Sequence, residues 1–134
     1  MSDDRVEIVR RAFEQWAAGD LDGALESADE QIEFWPLAAQ LKGEPYVGKR
    51  AVRRFATEEV PEQFEYARIN VEDVRPGSED YVLATGNFEA RGRASGIPAD
   101  FSVAIVIRFE GDKVVYQRFY TDLEAARRAA GLSE

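Results

Sequence analysis

A chain of 134 residues with 45% hydrophobic content can bury a core with room for a cavity, and we expect one domain over residues 1–134. Its 17 basic and 26 acidic residues leave a formal charge of −9, which repels phosphate backbones and anionic membrane surfaces, so neither nucleic acid nor membrane is expected as a partner. With no cysteine and no histidine, disulfides, thiolate nucleophiles, Cys/His zinc sites and imidazole catalysis are excluded; chemistry falls to carboxylates, Tyr, Lys, Arg or water.

Residues 1–20 carry acids and arginines where a signal peptide needs an apolar stretch, and no apolar run reaches membrane-spanning length, so a cytoplasmic location is expected. Ser2 or Asp3 can cap a first helix, in which Val6, Val9, Phe13, Trp16 and Ala17 recur at spacings of three and four. Gly19-Asp20 breaks it, and Asp20 is placed to cap a short helix through Leu21, Ala24 and Leu25. Ile32 to Trp35 reads as a short strand stopped by Pro36. Leu37 to Val47, with glycines and a proline flanking Tyr46, reads as an ordered loop. Gly48 starts a third helix with Ala51, Val52 and Phe55 inward; Lys49, Arg50, Arg53 and Arg54 form a solvated basic face.

Pro61 is expected to end the helical region, after which long strands follow. Phe64 to Val74 is the first, turned by Arg75-Pro76-Gly77-Ser78, and Tyr81 to Arg91 the second, turned by Gly92 to Gly96. Gly86 shares a face with Val82, Ala84, Phe88 and Ala90, where a missing side chain admits a close neighbour or a bend. Phe101, Val103, Ile105, Ile107 and Phe109 then form an unbroken apolar row at period two, and Glu110 to Lys113 turns the chain into the β-branched and aromatic run Val114 to Thr121. Asp122 caps a final helix through Leu123, Ala126 and Ala130, ended by Gly131. Helices followed by an antiparallel meander make an α+β domain, with helices covering one face of a strongly bent sheet.

Ala18-Gly19-Asp20-Leu21-Asp22-Gly23, Gly43-Glu44-Pro45-Tyr46-Val47-Gly48, Arg91-Gly92-Arg93-Ala94-Ser95-Gly96 and Tyr120-Thr121-Asp122-Leu123-Glu124-Ala125 occur in an order and spacing that resemble the nuclear transport factor 2-like superfamily, SnoaL-like branch. The resemblance implies a cone-shaped fold, a pocket between sheet and helices, frequent homodimers, and functions from polyketide cyclases and ketosteroid isomerases to non-catalytic modules. Its working positions align with Ala12 for the oxyanion tyrosine, Trp35 for the base (Glu33 or Phe34 after a one-residue gap), Ile105 for the oxyanion acid and Phe119 for the cyclase acid/base. These matches place apolar residues where the family's chemistry needs proton donors and acceptors.

The same register turns Val115, Gln117, Phe119 and Thr121 to the pocket, joined in the expected lining by Phe13, Trp16, Trp35, Tyr46, Phe55, Phe88, Val103 and Ile105. Tyr116, Arg118 and Tyr120 fall on the outer face, where aromatic and Arg enrichment suits a sheet-to-sheet dimer; ordinary cross-strand pairing is the other reading, and a one-residue slip would turn them into the pocket. Glu33, between Ile32 and Phe34, is the candidate catalytic acid if it lines the cavity wall, and a solvated side chain if alternation turns it outward. Asp29-Glu30 reads as an exposed turn; neither a metal nor a cofactor is expected. The function expected is binding of a small hydrophobic molecule. The alternatives are an isomerase, cyclase or hydrolase using Glu33 with Tyr46, and a dimeric interaction domain whose cavity is filled by its own side chains.

Overall fold

In a computed structural model, residues 2–132 are described, with side chains from Asp4 onward. Helix α1 (Ser2–Ala17) comes first, and the cap expected from the Ser2 or Asp3 side chain lies outside the described residues. Gly19, with φ +83°, breaks α1, and Asp20 caps α2 (Leu21–Ala24) by accepting the Gly23 N–H at 2.9 Å. Strand β1 (Ala28–Trp35) is longer than expected. The segment read as a loop contains helix α3 (Leu37–Lys42) and the two-residue strand β2 (Tyr46–Val47). Gly43, at φ +88°, ends α3, a stop the loop reading took as irregular chain.

Helix α4 (Lys49–Arg54) continues into a π-helical turn (Phe55–Glu59) and α5 (Val60–Gln63). Pro61 therefore does not end the helical region: it sits in the first turn of α5, where a missing N–H is tolerated. Strands β3 (Phe64–Pro76), β4 (Tyr81–Gly92), β5 (Pro98–Glu110) and β6 (Lys113–Tyr120) form the antiparallel meander, and α6 (Leu123–Ala129) closes the described chain. Asp122 caps α6 through the N–H groups of Glu124 and Ala125, and Gly131 follows at φ +76°.

The six strands form one curled sheet in the order β2-β1-β6-β5-β4-β3, with β1 parallel to β6 and every other pair antiparallel. Curvature has identifiable causes. Between Val71 and Asp73 the β3–β4 register shifts, and opposite this bulge stands Gly86, where an added Cβ would lie 2.1 Å from the Asn70 carbonyl oxygen. A second shift sets Arg108 against Tyr116 but Phe109 against Val114, so Val115 is the extra residue. This bulge corrects the expected register: Val114 is buried in the inner core, whereas Val115 does not line the cavity; Thr121, exposed beyond the end of β6, does not line it either.

The inner face carries the main core, including Ile32, Phe34, Val82, Ala84, Val103, Ile105, Ile107, Phe109 and Phe119, and α1 packs over it through Val9. On the outer face Leu83, Ala104 and Val106 meet Ala126 of α6 and Ala130, which caps its C-terminal end. Helices thus cover parts of both faces, because the turn at Thr121-Asp122 sends the final helix back across the side opposite α1. None of the helices is long and apolar enough to cross a membrane among the described residues.

Candidate functional site

A cavity of about 650 Å³ lies between the inner sheet face, α1, α2 and the α3–α5 segment. Phe13 and Trp16 reach it from α1, Tyr46 from β2, Phe55 from the π-turn, Phe88 from β4, and Gln117 and Phe119 from β6. Aromatic edges pack its wall: the Phe34 ring stands 5.6 Å from Phe55 and 5.9 Å from Phe119, both edge-to-face. Besides Val115 and Thr121, three residues expected in the lining are elsewhere. Val103 and Ile105, 3% and 0% exposed, point inward but are sealed within packed core. Trp35 is on the outer face, because strand alternation gives the inward direction to Ile32 and Phe34.

The same alternation turns Glu33 away from the cavity, to the outer groove rather than the wall. Its Oε2 accepts the Trp35 indole N–H at 2.7 Å. Near it, the Arg118 guanidinium lies 5.0 Å over Trp35 and 5.7 Å from Tyr120, and donates to Gln40 Oε1 at 3.3 Å. Gln40 in turn donates to the backbone oxygens of Trp35 and Phe119, tying α3 to the sheet edge. Tyr116, Tyr120, Tyr81, Arg108 and Glu33 surround a shallow outer groove of about 330 Å³ floored by Val106. Burial pushes the Tyr116 phenol above the ordinary tyrosine value, and Tyr120 and Glu33 add to this against the opposing Arg118 charge.

The carboxylate that does line the cavity is Glu59, which sequence reading did not single out. Tyr46 Oη donates to Glu59 Oε1 at 2.5 Å and accepts from Lys42 Nζ at 2.9 Å, and Lys42 Nζ lies 3.6 Å from the same Glu59 oxygen. Lys42 and Glu59 side chains are 54% and 32% exposed, which places this trio at the rim. Burial raises the Tyr46 phenol first, its bond to Glu59 second, while Lys42 opposes both. Lys42 is itself held above its ordinary value, chiefly by its bond to Tyr46. Tyr46 and Glu59 stand thirteen positions apart in the chain, so no local spacing reveals the pair. The one usable sequence signal was Tyr46 between glycines.

Deeper in, Gln117 makes no side-chain hydrogen bond among the described residues. It shares a cross-sheet row with Tyr46, because Phe34 pairs with Tyr46 on one side and Gln117 on the other. Strand spacing sets these two polar residues about 10 Å apart, with the Phe34 ring between them. Of the four positions matched to family chemistry, Ala12 and Phe119 border the cavity, Ile105 is sealed, and the inward residue at the end of β1 is Phe34 rather than Trp35.

The sequence profile of the SnoaL-like domain matches residues 9–117. Among solved structures, the chain is similar to an NTF2-like protein of unknown function from Burkholderia pseudomallei, at 20% identity and TM-score 0.77 over 93% of this chain and 95% of that one. It is also similar to a candidate SnoaL-like polyketide cyclase from Jannaschia sp. CCS1, at 20% identity and TM-score 0.73 over 99% and 95%. A third similar structure is TerC co-crystallised with polyporic acid, at 16% identity and TM-score 0.75 over 94% and 97%. At these identities the likeness establishes the fold. Among curated proteins, none matches in sequence.

Proposed function

The chain belongs to the SnoaL-like domain family, and on that premise we propose that its inner cavity binds a small, largely hydrophobic molecule. The observation that carries this reading is the cavity itself: about 650 Å³, walled by aromatic and aliphatic side chains, with the unbonded amide of Gln117 inside it. Such a volume suits a molecule of two to four rings. At ~25 cal/mol per Å², a ligand hiding a few hundred Å² of apolar surface gains several kcal/mol before association costs, enough for micromolar affinity. The test is titration with 1-aminoanthracene, a neutral three-ring fluorophore that brightens in apolar surroundings. We expect saturable binding that Ala12→Trp, which fills the cavity, abolishes; equal signal from both proteins would refute the reading.

A second reading is turnover. Tyr46 and Glu59 put a phenol and a carboxylate side by side at the cavity rim, a pairing able to pass a proton to or from a bound molecule. The acid in this version is Glu59, since Glu33 faces the other side of the sheet. The acidic, cysteine-free composition suits a cytoplasmic location, and the outward row Tyr116, Arg118 and Tyr120 supports assembly as a homodimer through the outer sheet face.

A further inference from the structure

We propose that Lys42, Tyr46 and Glu59 form a polar anchor at the cavity rim that takes one neutral hydroxyl of the ligand, a phenol or alcohol, in preference to a carboxylate. This rests on the binding reading above and names what the mouth of that site selects. Tyr46 has spent its O–H on Glu59 and receives a hydrogen bond from Lys42. Both partners of Glu59 meet the same oxygen, Oε1, so Oε2 takes part in neither contact. Lys42 has three N–H donors and two partners in the trio. The rim therefore keeps one acceptor and one donor within a single side chain's reach of each other, which is the pair a hydroxyl satisfies by donating to Glu59 and accepting from Lys42.

Charge decides against an anion. The Lys42 and Glu59 charges cancel, and with its phenol held above the ordinary value Tyr46 is neutral at neutral pH. A carboxylate would meet Glu59 with no surplus cation in the trio, and the other cation bordering the cavity, Arg68, is already paired with Glu89 at 3.0 Å, on a chain whose formal charge is −9. A wholly apolar ligand would instead leave the anchor's donor and acceptor covered without partners, a penalty a hydroxyl removes. The π-turn makes the anchor possible. Phe55, Ala56, Glu59 and Val60 all border the cavity, and the N–H of Val60 bonds to the Phe55 carbonyl five residues back.

The experiment compares 4-phenylphenol, biphenyl and biphenyl-4-carboxylate at pH 7 by displacement of 1-aminoanthracene from the full chain. Wild type is expected to bind the phenol at least about tenfold more tightly than either relative, a difference typical of one well-made hydrogen-bond pair to charged groups. Glu59→Ala and Lys42→Met should each bring the phenol to within about twofold of biphenyl, read as the ratio of the two affinities within the same variant. Equal affinity for phenol and biphenyl in wild type overturns the anchor and leaves cavity binding intact. Tighter binding of the carboxylate overturns it in favour of an anion site on Lys42. Failure of all three probes to displace the bound fluorophore overturns the anchor, whereas absence of saturable fluorophore binding overturns the hydrophobic-binding reading itself. The comparison within wild type needs no variant, so a poorly folded mutant cannot mask the result.

Discussion

Tyr46 and Glu59 meet at 2.5 Å across the cavity rim, although one stands on a two-residue edge strand and the other ends a π-helical turn. The bond gives the only cavity-lining carboxylate found among the described residues a protonated partner.

That pairing predicts a pH dependence of stability. Burial and the bond to Glu59 raise the Tyr46 pKa, so the folded state holds this proton more tightly than the unfolded chain. The contribution is fully present below the unfolded value, near pH 10, and is lost as pH rises through the folded value. Lys42 and Tyr116 are raised too and act in the same direction. Urea midpoints should fall between about pH 9 and about pH 11, and Tyr46→Phe should flatten part of that fall. Identical slopes for both proteins would show that the bond contributes nothing.

Phe119 is 6% exposed and packs edge-on against Phe34 while bordering the cavity. Phe119→Ala should destabilise the protein by about 3 kcal/mol, the low end for such truncations because one side already faces open space. It should also shift preference toward bulkier apolar ligands, as read by displacement with two-ring and four-ring probes. An unchanged rank order would place the ligand elsewhere.

Glu33 faces the outer groove, with its carboxylate on the Trp35 indole. Glu33→Gln should therefore leave ligand affinity within about twofold of wild type, since the amide oxygen still accepts from Trp35. Calorimetric titration showing a tenfold loss would mean that the outer groove and the cavity are coupled.

The family resemblance matches Ala12, Trp35 (or the inward Phe34 after a one-residue gap) and Ile105 to the positions where ketosteroid isomerisation needs a hydroxyl, a base and an acid, while Glu33 faces the outer groove. None of the matched residues can move a proton, so purified protein should isomerise a 5-ene-3-ketosteroid no faster than buffer. Activity well above background that disappears in Glu59→Gln would move the protein to the enzyme reading.

The outer face offers Tyr116 and Tyr120 around a groove that α6 covers only in part, with Arg118 beside them over Trp35 and Tyr120. Sedimentation at micromolar concentration should give a dimer, and Tyr116→Glu, which sets a charge among these aromatics, should give a monomer. A wild-type monomer would assign the row to cross-strand packing alone.

Much of this architecture could be read directly from residues. Asp20 and Asp122 announced their helices because capping is local, and the meander from Phe64 onward followed from period-two alternation and glycine turns. Gly86 was legible as a bend because a missing Cβ has few other uses in a strand. The SnoaL-like fold itself was carried by short motifs spread over nearly the whole chain.

What folding alone decided depends on phase and on distance. A bulge adds one residue without changing composition, so nothing local marked Val115 as the point where Val114 and Gln117 both turn inward. On β1, alternation left Glu33 equally able to face either side until pairing with β2 and β6 fixed its direction. The Lys42–Tyr46–Glu59 trio joins three separate elements and forms only when the π-turn and the edge strand close on one rim, a relation of tertiary packing that neither periodicity nor motif encodes.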